Sequence, residues 1–191
     1  MIIEGIVTTA DPDGGMHVAA MGPWVDDAER ASGRITRLVL KPFATSHTAA
    51  NLARTPAGVF HLTDDVLLLA RIVAGGPAAV PESRPAESVP GRVLVDACQA
   101  WEFVIETVDD SRERIELAAR VVAVHAGRPF IGFNRAAHAV VEAAILVTRL
   151  QLLKPADVRG QVAALRPLVE KTGGSREREA FSILAARVEA G

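Results

Sequence analysis

Arg34-Ile35-Thr36-Arg37-Leu38-Val39-Leu40-Lys41-Pro42-Phe43-Ala44-Thr45-Ser46-His47-Thr48-Ala49-Ala50-Asn51-Leu52 joins a β-type run to a helix start, and this junction decides the fold. Arg34 to Leu40 has strand character, and the remainder opens a helix reaching about Arg54. Three hydroxyls and an asparagine amide crowd that helix start, with Lys41 and Arg54 close by. A helix N-terminus carries unpaired N–H groups and the positive end of the macrodipole, so the unit is suited to holding a phosphate. The same residues also suit an ordinary cap by Thr45 or Ser46. Spacing alone leaves both readings open.

Working outward, residues 2–9 read as a strand and 16–22 as its return, with Asp11-Pro12-Asp13-Gly14-Gly15 as the turn of a hairpin. Gly58 to Thr63 is a further strand, after which Asp64 or Asp65 caps a helix over 66–73. Glycines and prolines punctuate 75–91, which reads as a long surface loop. Two long β segments follow, roughly 92–108 and 112–125, turning at Asp109-Asp110-Ser111. In the first, Trp101, Phe103 and Ile105 alternate with Glu102 and Glu106. From Gly132 the chain turns helical: Asn134–Leu150, then Pro155–Glu170 with Pro167 expected to kink or divide it, then a last helix capped by Ser175 that buries Phe181, Leu184 and Val188. The expectation is a mainly β fold with α: six antiparallel strands in a small barrel over residues 1–127, followed by a helical tail over 128–191.

Composition narrows the function. The 191 residues are 49% hydrophobic but only 4% aromatic, so Val, Leu, Ile and Ala must build the core. A net charge of −2 gives no global field for nucleic acid or anionic membrane. The single cysteine, Cys98, excludes an intrachain disulfide and a cysteine-rich zinc site, and fits a reducing cytoplasm. No secretory signal or spanning segment is visible, so a cytoplasmic protein is expected. Nor is there a Gly-x-Gly-x-x-Gly fingerprint, a Walker-type loop or a His-Glu-x-x-His motif.

Two further features bear on a site. Ala20-Met21-Gly22-Pro23 ends the second strand, and small residues there let a backbone approach a ligand closely. In the helix from Asn134, Arg135, His138, Glu142 and Arg149 form one charged seam on an otherwise apolar cylinder. That seam reads as a solvated stripe, a structural ion network, or a wall that recognises substrate. His138 and Glu142 lack an evident third ligand, so no metal is expected. His61 lies in a strand and faces either the core or a pocket.

Glu4-Gly5-Ile6-Val7-Thr8-Thr9, Ala20-Met21-Gly22-Pro23, the 41–52 stretch, Gly58-Val59-Phe60-His61 with Thr63-Asp64-Asp65, and Phe133-Asn134-Arg135-Ala136 with His138-Ala139 stand in an order that resembles an uncharacterised flavin-binding family. That family, a domain of unknown function, is a branch of the FMN-binding split-barrel superfamily, near the flavin reductases and pyridoxamine-phosphate oxidases. The resemblance runs along essentially the whole chain, including Glu170-Lys171-Thr172-Gly173-Gly174. It implies a six-stranded split barrel, a homodimer and one FMN per subunit near the dimer interface. By the same carry-over, Thr45, Ser46, Thr48 and Asn51 surround the phosphate and Met21-Gly22-Pro23 lie along the flavin ring. Lys41 and Phe43 complete the cofactor-binding set. Lys41 stands where many relatives have arginine, keeping the charge without the bidentate fork. The implied activity is a flavin-dependent oxidoreductase of unknown substrate. The alternatives are a non-catalytic flavin-binding protein or a pterin-related reductase in one-carbon metabolism.

Overall fold

β1 (Gly5–Ala10) and β2 (Met16–Met21) pair antiparallel with Gly5 opposite Met21 and Ala10 opposite Met16. Their turn is the expected one: Gly14 adopts φ +84°, a conformation that favours glycine, and the Asp13 carboxylate accepts from the Gly15 amide. The structure, a computed structural model, describes residues 1–75 and 81–190. A short helix not anticipated from the sequence, α1 (Asp27–Ser32), follows, capped by Asp26 and closed by Gly33 at φ +72°. The decisive junction then appears as read, with β3 (Arg37–Leu40) leading into α2 (His47–Arg54). Next come β4 (Ala57–Leu62) and α3 (Val66–Val73), the latter capped by Asp65.

The segment read as a surface loop contains structure. β5 (Ser83–Pro85) and β6 (Arg92–Leu94) form a small separate hairpin, while residues 76–80 of that segment lie outside the described residues. Side chains hold the hairpin: Arg92 donates to the Ser83 hydroxyl and carbonyl, and the Thr8 hydroxyl donates to the Arg92 carbonyl. Under it, Val59, Val89, Val93 and Ala100 form a satellite apolar cluster. Prolines and glycines end strands as well as make loops, so punctuation concealed β5, while β6 falls in the 92–108 segment read as one strand, which is broken before Gln99. The long hairpin is β7 (Gln99–Asp109) with β8 (Glu116–Ala126), bulged between Glu102 and Phe103 and again between Ile105 and Thr107.

The six-stranded sheet has the order β2-β1-β4-β7-β8-β3, with every neighbouring pair antiparallel. Its edges, β2 and β3, do not form a ladder with each other. They meet through Trp24, just beyond β2, which bridges Val39 by reciprocal backbone bonds of 2.8 and 2.9 Å. The result is a split barrel. Its interior is filled by Val7, Leu38, Leu40, Phe60, Phe103 and Trp101.

By internal contacts the chain divides into two units, Met1–Thr63 with Pro81–Pro129, and Asp64–Val80 with Phe130–Gly191. The first is the barrel. The second contains α4 (Arg135–Val147), α5 (Pro155–Thr172) and α6 (Ser175–Ala190), and α3 belongs with them. So the helix over 66–73, which lies within the 1–127 segment in sequence, groups with the helical part. The cause is local: Val66, Leu67 and Ala70 bury into the helical core, and Arg71–Glu179 (2.6 Å) and Arg176–Asp65 (2.7 Å) tie α3 to α6.

Two helix details differ from expectation. α5 runs unbroken through Pro167, which is exposed, as is Ala163, whose carbonyl loses its partner. On that exposed face the freed carbonyl is open to solvent, so the helix is not divided there. Ser175 is the first residue of α6 rather than its cap, and Glu177 reaches back to accept from the Gly174 amide at 2.8 Å.

Candidate functional site

The pairing of Trp24 with Val39 fixes the site. It is antiparallel, so the chain that leaves β3 as Lys41–Ser46 runs back along the outer edge of β2. At the far end of that run His47, the first residue of α2, meets His17 of β2 with ring centroids 4.2 Å apart. The outer side of β2 and the start of α2 therefore bound one opening. All six β2 residues are half-buried.

The start of α2 is built from side chains. Ser46 is the cap, and its Oγ accepts from the Ala49 amide at 3.1 Å. That uses the hydroxyl as an acceptor and leaves its proton to donate elsewhere. Thr45 is exposed and Thr48 buried. Asn51 has another occupation: its amide donates to Thr9 Oγ1 at 3.0 Å and Asp11 Oδ1 at 2.8 Å, and its oxygen accepts from Arg54 at 3.0 Å. Arg54 also donates to the Ala10 carbonyl at 2.6 Å, and His47 Nε2 lies 2.9 Å from Asp11 Oδ1. Asn51 and Arg54 thus clamp α2 onto the β1–β2 turn and position the hydroxyls beside them. Burial, and next the His47 ring, hold the His17 imidazole below its usual pKa, with Asp11 opposing them.

The remaining expected residues lie at the other end of the opening. Lys41 Nζ pairs with Glu116 at 2.7 Å and stands 5.5 Å from the centre of the Trp24 ring. Phe43 carries the Arg114 guanidinium 3.8 Å over its ring, and Arg114 donates to the Lys41 carbonyl at 3.1 Å. Met21 and Gly22 are half-buried and Pro23 is buried. A Cβ at Gly22 would lie 2.7 Å from Ile2 Cγ2 and 2.9 Å from a Glu4 carboxylate oxygen, so only glycine fits there without rearrangement. The structure therefore brings Met21–Pro23 and Lys41 together through the Trp24–Val39 rung, and Thr45, Ser46, Thr48 and Asn51 together at α2.

A second polar group in the barrel was missed from sequence. Glu102 is fully buried, accepting from the amides of Glu87 (2.7 Å) and Ser88 (2.6 Å) and from His125 Nε2 (2.6 Å). Burial raises its pKa, but those donors outweigh burial and hold the carboxyl below its ordinary value. Arg84 donates to His125 Nδ1 at 3.1 Å, which makes that imidazole the neutral Nε2–H tautomer. His61 faces the core: the Leu94 amide donates to Nε2 at 3.0 Å, so Nδ1 carries the proton shared with the Ile6 carbonyl at 3.2 Å. Burial pushes the His61 pKa down to about 4, the bond to Ile6 opposing and His125 adding to the effect. These residues bolt the β5–β6 hairpin to the barrel.

In the helical unit, Arg135, His138, Glu142 and Arg149 are all exposed. Of the three readings of the seam, the solvated stripe is the one seen within the chain. Cys98 is half-buried, and the described residues include no group of three or more His, Cys, Asp or Glu side chains suited to a metal. Among the described residues no helix is long and apolar enough to cross a membrane.

The six-stranded split barrel resembles solved structures in fold. The FMN-bound protein of Methanosarcina mazei, which carries the DUF447 family model, superposes with TM-score 0.80 at 21% identity over 97% of this chain and 94% of that one. The styrene monooxygenase flavin reductase of Pseudomonas putida S12 matches at TM-score 0.51 and 11% identity over 66% of this chain and 81% of that one. An FMN-binding protein of Thermus thermophilus with bound p-hydroxybenzaldehyde matches at 0.54 and 14% over 66% and 75%. Residues 3–128 match the model described as the N-terminal domain of a protein of unknown function (DUF447), and residues 134–186 match the companion model of the same family. The chain belongs to the DUF447 family. No functionally curated protein matches it.

Proposed function

We propose that this protein binds FMN and is a flavin-dependent oxidoreductase of still unidentified substrate. The observation that carries the reading is the start of α2, where the hydroxyls of Thr45, Ser46 and Thr48 stand at the positive end of a helix beside the open edge of β2. The donor set fits a phosphate monoester. The Ser46 proton and the helix amides supply hydrogen bonds to its oxygens, and Asn51 and Arg54 keep α2 in place. The planar ring would lie along the backbone of Met21–Pro23, where Ile2 and Glu4 fill the space a side chain at Gly22 would take. When bound, the flavin supplies the hydride chemistry; the protein supplies binding, orientation and exclusion of water. FMN in the family relative of Methanosarcina mazei supports the same reading.

A homodimer belongs to this proposal. Trp24, just beyond the end of β2, is 45% exposed, an apolar surface that a second copy would cover.

Purified protein is expected to be yellow, with the absorption bands of oxidised flavin and FMN released on denaturation. Colourless protein that also takes up no added FMN overturns the proposal. Stopped-flow mixing with reduced nicotinamides is expected to bleach the bound flavin. A flavin that binds but is reduced by no nicotinamide leaves FMN binding standing and removes nicotinamide-driven oxidoreduction.

A further inference from the structure

The barrel has a second opening, at the end where Leu62 leaves β4. A cavity of about 380 Å³ lies there, walled by Ile2, Ile3, Ile35, Leu62 and Trp101, with Arg30 of α1 at its rim. That volume is within the range of small-molecule sites. Its walls are rigid. The Trp101 indole is fixed by a 3.1 Å bond from its N–H to Gln99 Oε1 and backed by the Phe60 ring at 5.7 Å, and Ile35 is buried. Apolar walls that do not meet forgo the dispersion contacts a filled core would make, so an occupant that fills the space is favoured.

The rim carries a guanidinium. Arg30 is exposed and enters no ion pair among the described residues. The acidic residues around it on α1 are engaged elsewhere. Asp26 caps the helix through the amides of Ala28 and Glu29, Asp27 pairs with the Met1 amino group at 3.3 Å, and Glu29 accepts from the Thr36 and Arg37 amides.

We propose that this opening is a binding site for an aromatic anion, its ring between Ile2, Ile3 and Leu62 over the buried edge of Trp101, its acidic group on Arg30. Occupancy of the site does not depend on the flavin proposal, but its role does. Ile3 donates to the Pro23 carbonyl at 3.1 Å and Ile2 packs on Gly22, so one layer of chain separates this cavity from the segment assigned to the flavin ring. That layer keeps a compound held here out of contact with the flavin ring, so it would act on the segment that carries the cofactor and not as its hydride partner.

The test is calorimetric titration of the full chain with 2-naphthoate, with and without FMN, and with neutral 2-naphthalenemethanol as control. One naphthoate per chain is expected. Arg30→Gln should weaken it about tenfold, the value of one charge-assisted contact, and should leave the neutral control unchanged. Leu62→Trp, which fills the cavity, should abolish both. No binding overturns the proposal, and so does naphthoate binding indifferent to Arg30→Gln, a surface change that leaves the fold intact if Leu62→Trp does not. Naphthoate binding in a chain that takes no FMN retains the site and rejects the flavin proposal; the converse retains FMN and rejects the site.

Discussion

Two polar groups on one barrel differ in what surrounds them. At His61, Glu102 and His125 the bonds are closed within the protein: both His61 nitrogens, both Glu102 oxygens and both His125 nitrogens have protein partners. At the start of α2, Thr48 and Asn51 are buried, but Thr45 is exposed and Ser46 half-buried, and among the described residues the Ser46 hydroxyl donates to no protein group. A sealed network contributes stability and has no capacity left for a ligand. An open one contributes less and keeps donors available. Substitutions in the first should therefore change folding and leave FMN affinity in the folded fraction alone. In the second the balance should reverse.

The largest effect is expected from Glu102→Ala. It leaves the amides of Glu87 and Ser88 and the His125 N–H without an acceptor, at a cost of about 3–5 kcal/mol in urea unfolding for three lost bonds to a charged group. A smaller cost would show that water enters and that the cluster is not sealed. The next effect is with pH. His61 has a folded pKa of about 4 against 6.5 for the free side chain, so the unfolded chain binds the extra proton. Stability should be complete above pH 6.5 and fall by an amount on the order of 3 kcal/mol as pH drops towards 4. His61→Phe should flatten that window, although Glu102 still adds a loss at lower pH, its carboxyl being depressed.

In the open cluster, Asn51→Ala removes the clamp between α2 and the β1–β2 turn and should cost about 1–3 kcal/mol, read by thermal melting. FMN affinity should fall with it, because the hydroxyls lose their support. The smallest stability change belongs to Ser46→Ala, about 1 kcal/mol for a lost cap. Here the comparison is sharpest: the same change should weaken FMN about tenfold. Unaltered FMN affinity would make Ser46 a cap and nothing more.

The sequence made the open cluster legible because its parts are local. Turn residues at 11–15, a β-type run, then hydroxyls at one helix start are all readable within a few positions. The sealed cluster is non-local. Alternation set Glu102 opposite Trp101 and Phe103, but could not say that the β5–β6 hairpin would cover that face. His125 reaches Glu102 only through the bulged register of β7 and β8, which no single segment encodes. The same limit hid the allegiance of α3, whose apolar residues have a clear helical period but no label for the core they join. Asn51 is assigned to the phosphate by resemblance, and the sequence holds no sign of the three bonds by which it also ties α2 to the β1–β2 turn and to Arg54.

The Trp24–Val39 rung behaves as a clasp. Two backbone bonds, not a ladder, join one rim of the barrel to the other. Undoing them parts the ends of β2 and β3 while leaving the β1–β4–β7–β8 run intact, so at this end the opening is held by one backbone contact and at the other by the α2 clamp. Amide exchange at Trp24 and Val39 should accordingly outpace exchange in β4, and a ligand lodged beside β2 would slow it. The barrel would then report its own occupancy through two amide protons.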